Sequence, residues 1–209
     1  MAALSFNLSA YAFERGMTAL WDSYRAAEEA VASKAEGLRT EFADYERRVA
    51  AGDPRQYEYE DDGTPLYEYG QLYEINLEDA EEAVAELRNA FVVAFYHHWE
   101  RGAQRWGNFE PGAQPKHPSL IAATEKLGIA IPSRLEGVHH LVNLLKHGGQ
   151  SWGEKLKVSW PEVVSGPASW GSAPDWRRAV SLSADQVAEV HKALKEAAPP
   201  ALVFGPMGQ

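Results

Sequence analysis

From Ser9 to Ala51 apolar side chains recur at intervals of three and four: Phe13, Met17, Leu20, Tyr24, Ala27, Val31, Leu38, Phe42, Tyr45 and Val49. Only a helix brings that spacing onto one stripe, and Gly52-Asp53-Pro54 ends it. The stripe lies close to a 3.5-residue repeat, so the helix calls for a long antiparallel partner. That partner follows in Leu77, Ala80, Val84, Leu87, Phe91, Phe95, His98 and Trp99, ending near Trp106. Asn76 is its expected N-cap, with Glu78 and Asp79 as an acidic first turn. The fold class this predicts is mainly all-α, built on a long antiparallel helical hairpin with additional helices.

Between the two helices the stretch QYEYEDDGTPLYEYG alternates tyrosine with acid on either side of Asp62-Gly63. Alternation around turn chemistry predicts a small β-hairpin or an extended loop, an acidic Tyr-rich insert over 53–75. Its carboxylates serve either as the solvated edge of a connector or, with the tyrosines, as a docking surface for a protein partner over residues 57–69. The charge of the chain is concentrated here. The formal net charge is -10, yet Asp53 to Glu86 alone holds twelve acids and one base. Outside that window acids and bases nearly balance, which leaves room for a neutral or locally basic surface that handles RNA.

With 209 residues, 45% of them hydrophobic, the chain has enough apolar content for a real core, and it reads as a single helical domain over 1–209. There is no cysteine, so disulfides, thiolate nucleophiles and Cys-based metal sites are excluded. No segment has the apolar length to span a bilayer, and the N-terminal stretch lacks a basic leader with an apolar run. The expectation is a soluble, cytoplasmic protein that does not contact membrane.

After a loop with Pro111, Pro115 and Pro118, a short helix is expected from Ser119 to Leu127. Ser133 with Glu136 forms a capping-box pattern ahead of RLEGVHHLVNLLKH, and Gly148-Gly149 supplies the stop. Residues 149–178, rich in Gly, Ser and Pro but holding Trp152, Trp160, Trp170 and Trp176, read as an ordered loop pinned by its indoles. A stacking platform for bases is the other reading. A second capping box, Ser183 with Gln186, opens a final helix over 183–197.

The helix from Arg134 carries the candidate site. At 100° per residue Leu135, Val138, Val142 and Leu145 form one stripe, while His139, His140, Asn143, Lys146 and His147 occupy an adjoining arc. A histidine near neutrality moves protons, an amide orients a phosphate, and a lysine offsets negative charge. Lys146 and His147 also suit the last turn as partners of free carbonyls. A second cluster, His97-His98-Trp99-Glu100-Arg101, places His98 on the apolar stripe as a core histidine and His97, Glu100 and Arg101 on the surface as an ion-pair group. It lacks the carboxylates of a di-iron bundle, so neither metal nor cofactor is expected.

A long helical hairpin followed by a helix ending in Asn-x-x-x-His resembles the HEPN group of all-α domains, found in bacterial toxins and phage-defence nucleases. In that family's Arg-polar-spacer-His motif, Asn143 and His147 of VNLLKH match the polar residue and the histidine, and Val142 stands at the arginine position. A second register pairs Arg134 with His139 or His140 and puts Leu135 at the polar position. The resemblance implies metal-independent RNA cleavage, with His147 as general acid or base, Asn143 orienting substrate and Lys146 stabilising charge. It also implies a homodimer with a shared cleft. Trp21 and Phe42, which broaden the apolar face of the first helix, point the same way, since they need cover from the Trp-rich loop or a second copy. The alternative function is a non-catalytic protein-interaction module acting through the acidic tyrosine segment.

Overall fold

The computed structural model describes residues 2–165, 168–170 and 173–206. Among these the order is β1 (Ala2–Phe6), α1 (Leu8–Ala50), β2 (Tyr57–Tyr59), β3 (Pro65–Glu68), α2 (Tyr69–Trp106), α3 (His117–Glu125), α4 (Arg134–His147), α5 (Gln150–Ser159), a 3-10 turn at Pro161–Val163, β4 (Ala168–Trp170), β5 (Ala173–Asp175), α6 (Ala184–Glu196) and β6 (Leu202–Pro206). The protein is mainly all-α, and α1 with α2 forms a long helical hairpin. The strands make three two-stranded antiparallel pairs, β1 with β6, β2 with β3 and β4 with β5. No helix among the described residues is long and apolar enough to cross a membrane.

The chain divides into two compact units, Tyr24–Leu87 and the remainder, Met1–Ser23 with Arg88–Gln209. In the first of these, Ala35, Tyr45 and Ala80 are buried along the hairpin, and Phe42 stacks on Tyr73. The β2–β3 hairpin predicted from the alternating tyrosines is present. Asn76 does not cap α2. The helix starts seven residues earlier because β3 runs directly into it, its entry held by the Tyr69 amide on the Gln56 carbonyl at 3.0 Å. The Tyr45 hydroxyl ties the same corner, donating to Glu68 at 2.8 Å and accepting from the Gln56 amide at 3.2 Å.

In the other unit the α1 N-terminus is capped by Asn7, whose side-chain oxygen accepts from the Ala10 amide at 3.1 Å. Phe13, Met17, Phe95, Trp99, Leu135, Leu141, Leu144, Leu156, Val187 and Leu194 are buried together as the core. The Trp99 indole N–H donates to the Ala197 carbonyl at 2.8 Å, fixing the end of α6 against α2. His98 is half-buried against this core and satisfied, bonded to the Phe13 carbonyl at 2.9 Å and stacked on the Phe13 ring. Trp21 is half-buried and stacks on His191 of α6, 4.5 Å between centroids.

The structure departs from the sequence reading at three points, each for a local reason. α3 begins at His117 rather than Ser119, because a proline in the first turn costs no intrahelical bond. Ser133 does not form the capping box; its backbone is already helical and its side chain caps nothing. Ser183 and Gln186 do form theirs, with Ser183 in extended geometry. Residues 149–178 are not simply a loop. Gly148 and Gly149, at φ 64° and 92°, end α4 and let α5 start at once. Gly153, Leu156 and Trp160, at helical spacing, face inward. Gly153 lies where a Cβ would fall 2.0 Å from the Trp176 ring, so only glycine admits that indole beneath α5. Trp160 and Trp176 are buried and Trp152 is half-buried, while the Trp170 side chain lies outside the described residues.

Candidate functional site

Tyr96 projects from α2 at the bottom of an open cleft and is 2% exposed. Its hydroxyl meets two imidazoles, His117 Nδ1 at 2.7 Å and His139 Nδ1 at 2.8 Å. His117 comes from the first residue of α3, placed there by the early helix start, and His139 comes from the second turn of α4. The two rings stack face to face, 3.9 Å between centroids and 8° between planes. Trp99 backs His117 from within the core at 5.9 Å.

Asn143, one turn beyond His139, donates its side-chain N–H to the His139 carbonyl at 2.8 Å and lies 3.1 Å from His139 Nδ1. One hydroxyl can donate to one Nδ1 and accept from the other, so the two neutral rings on Tyr96 carry opposite tautomers.

Both imidazoles are held neutral. Burial first, then the charge of His140, pulls His117 down to about 4. Burial, followed by His117, His140, Lys155 and Lys146, pulls His139 down to about 3. The N-terminal turn of α3 opposes a cation on His117 in the same direction. Burial and Glu100 raise the Tyr96 phenol above its ordinary range, so it too stays protonated.

The cleft above the trio encloses about 340 Å³ and is lined also by Glu100, Pro115, Lys116, Pro118, Val142, Asn143, Lys146 and Trp152. The five residues singled out on α4 thus separate. His139, Asn143 and Lys146 line the cleft. His140 turns toward α5, its Nδ1 2.9 Å from the Ser159 hydroxyl, which itself donates to the Lys155 carbonyl. His147 is exposed at the last turn and is not among the lining residues. One face of Trp152 is covered by the Lys155 ammonium at 4.5 Å.

Arginine is placed differently from either motif register. Arg134 bonds Glu189 at 2.6 Å and lies over the Trp160 ring at 4.5 Å, away from the cleft lining. Arg177 donates to the Lys146 carbonyl at 3.0 Å and closes the C-terminus of α4. His97 pairs with Glu100 at 2.7 Å as expected of a surface pair, and among the described residues no group of three or more His, Asp or Glu is placed to hold a metal ion.

Tyr96, Lys116 and His117 are the members that sequence reading missed. A signal for His117 existed in His-Pro at a helix start, where the residue before proline opens the first turn. Tyr96 was hidden in an apolar run, where its hydroxyl counted for nothing. No family model, curated protein or solved structure matches the chain.

Proposed function

We propose that this chain is a HEPN-like helical protein that engages RNA through the cleft of Tyr96, His117, His139, Asn143 and Lys146, in a bacterial defence or toxin setting. The observation that carries the reading is the pair of neutral, stacked imidazoles opening onto a cleft with Lys116 and Lys146 at its rim. A phosphodiester needs cations for its charge and directional hydrogen bonds for its ester oxygens, and the cleft offers both. Lysines supply the phosphate contact as point charges rather than as an arginine fork. Trp152, half-buried in the lining of the cleft, supplies an aromatic side chain of the kind on which a base stacks.

Anisotropy of a short labelled single-stranded RNA tests this reading. Affinity is expected to fall steeply with salt and to weaken in Lys116→Gln, Lys146→Gln and His139→Gln. If RNA does not bind at low salt, or binds equally well to all three variants, the reading is wrong. A homodimer belongs to the same proposal, and light scattering across a dilution series checks it against the 23.1 kDa monomer.

The second reading, a protein-interaction module, is favoured by one observation: Tyr59 and Leu66 of the acidic hairpin are 55% and 53% exposed. Neutralising Glu58, Glu60, Asp61 and Asp62 together is expected to leave the fold intact and weaken capture of a partner from the native host. Recovery of the same partners with and without those carboxylates removes the reading.

A further inference from the structure

We infer that the tip of the β2–β3 hairpin of one copy occupies the cleft of Tyr96, His117 and His139 of a second copy, where Glu60 and Asp61 take the place of phosphates and keep RNA out. The inference rests on RNA as the ligand of that cleft. It goes further in naming what regulates access to it, a second copy of this chain.

The charge of the chain is divided between its two units. Tyr24–Leu87 holds eighteen acids and six bases, and the remainder holds twelve acids and fourteen bases. The acidic unit of one copy is thus attracted to the other unit of a neighbouring copy before any contact forms. Within the hairpin and its corner several carboxylates are already employed. Glu58 accepts from the Tyr69 hydroxyl at 3.0 Å, Asp62 from the Thr64 amide at 2.9 Å, and Glu68 from Tyr45 at 2.8 Å and Arg55 at 2.7 Å. Glu60 and Asp61 are exposed at the tip, and among the described residues their side chains form no hydrogen bond or ion pair. The tip that carries them is ordered in advance: the Glu60 amide donates to the Thr64 carbonyl at 2.9 Å, the Gly63 amide donates to the Glu60 carbonyl at 2.9 Å, and Gly63 turns the chain at φ 85°. Such a tip loses little freedom on docking.

The cleft has the complementary charge. Lys116 and Lys146 line it, both are exposed, and among the described residues neither is ion-paired. The one carboxylate in the lining, Glu100, is taken by His97 at 2.7 Å. The first turn of α3 has no side-chain cap and belongs to the lining through Lys116 and His117, which adds a partial positive charge. Next to the two free acids Tyr59 is exposed on β2, and Trp152 stands in the lining, so a ring contact can accompany the ion pairs. An acid beside a ring is also what a nucleotide presents, so hairpin and RNA compete for the same groups. Pairing of cleft with cleft would instead set lysines against lysines.

The experiment uses the full chain and two charge-swapped variants, Lys116→Glu/Lys146→Glu and Glu60→Lys/Asp61→Lys. Mass is read by light scattering across a dilution series at low salt. The wild type is expected to rise above the 23.1 kDa monomer with concentration, and to return to it in about 1 M salt, where the screening length falls to about 3 Å. Each variant alone is expected to stay monomeric and their equimolar mixture to associate, since the reversed hairpin then meets the reversed cleft. Glu78→Gln/Glu82→Gln, which removes two exposed acids from α2 in the same unit, is expected to associate like wild type. A short single-stranded RNA is expected to dissociate the wild-type assembly, and to bind Glu60→Gln/Asp61→Asn several-fold more tightly than Glu78→Gln/Glu82→Gln at concentrations where the wild type is assembled. A wild type that is monomeric throughout, a hairpin variant that associates alone, a mixture of the two variants that stays monomeric, or RNA that binds without disturbing the assembly each overturns the inference and leaves the RNA reading standing. Association restored in the mixture, with no RNA bound by the wild type or by Glu60→Gln/Asp61→Asn, overturns the RNA reading and with it the regulatory role of the contact.

Discussion

His191 and His139 are alike in basicity and unlike in almost everything else. His191 stacks on Trp21 at 4.5 Å, makes a backbone hydrogen bond to Met17, and has its Nε2 buried with no hydrogen-bond partner. Burial, then Lys195, against Asp22, pulls it down to about 4. His139 stacks on His117 and reaches a comparable value by the same leading cause. Yet His139 lines an open cleft with a phenol, an amide and a lysine around it, whereas His191 serves as a flat ring closing the core over Trp21. A depressed histidine therefore marks burial, and only convergent partners and access mark a site.

The largest expected effect separates the two. His139→Gln removes one imidazole of the stacked pair while keeping a polar side chain, and the proposed RNA affinity should fall roughly tenfold, about the worth of one hydrogen bond. His191→Phe keeps the stack on Trp21 and should leave affinity where it was. Affinities measured side by side test the contrast, which collapses if the two variants lose affinity equally. His147→Ala completes the set, since a loss there as large as that of His139→Gln would move the RNA contact to the α4 terminus that the HEPN resemblance favours.

A smaller effect concerns the wall of the cleft. Gly153→Ala would put a methyl group 2.0 Å from the Trp176 ring, so the indole or α5 must shift. Overpacking of this kind costs about 1–3 kcal/mol, a drop in Tm of roughly 2–4 °C per kcal/mol for a chain this size. Because α5 carries Trp152 and Lys155, RNA affinity should fall with it. Gly37→Ala is the counterpart, since nothing lies within 4 Å of its new methyl. Its helix should gain about 0.5–1 kcal/mol. An unshifted Tm in Gly153→Ala would mean that α5 is not held as described.

Acid exposes the shared property of the two regions. Folded values near 4, or lower, lie below the ordinary 6.5 of a free histidine. The unfolded chain therefore binds more protons between those limits, so stability is full above pH 6.5 and declines as pH falls toward 4. Urea midpoints at pH 7 and pH 5 should differ, and His191→Phe should narrow the difference without lowering the pH 7 midpoint. An unchanged difference would show that His191 is not held neutral by the fold.

Much of this was legible beforehand, and the limits have physical causes. The stripe from Phe13 to Val49 announced α1, the tyrosine alternation announced β2–β3, and Ser183 with Gln186 announced α6, because each pattern has one local solution. His139, Asn143 and Lys146 were legible as a group because three and four residues along a helix are neighbours. His117 and Tyr96 were not, since no local pattern records that three helices bring their side chains to one hydroxyl. α5 was missed because Gly153 reads as a breaker, although its missing side chain is what admits Trp176. Ser133 shows the reverse error, a capping signal that the entry of the chain into α4 left unused.

The smallest predicted effect is the most local. Lys146 is exposed in the last turn of α4 yet lines the cleft, so it has two employments open to it, the helix end and a bound phosphate. The carbonyl of Lys146 is already met by Arg177, so losing the lysine charge should hardly disturb the helix. Its contribution should appear in RNA affinity alone. Each single-strand phosphate neutralised adds about 0.7 to the slope of log affinity against log salt. Lys146→Gln should therefore flatten that slope by roughly this amount and leave Tm unmoved. Lys34→Gln, on the Tyr24–Leu87 unit, provides the control, because a lysine outside the cleft removes the same charge without a phosphate to lose. Equal flattening in both variants would reduce the lysine effect to net charge, and with it the claim that the rim of the cleft, rather than the field of the whole chain, receives the RNA backbone.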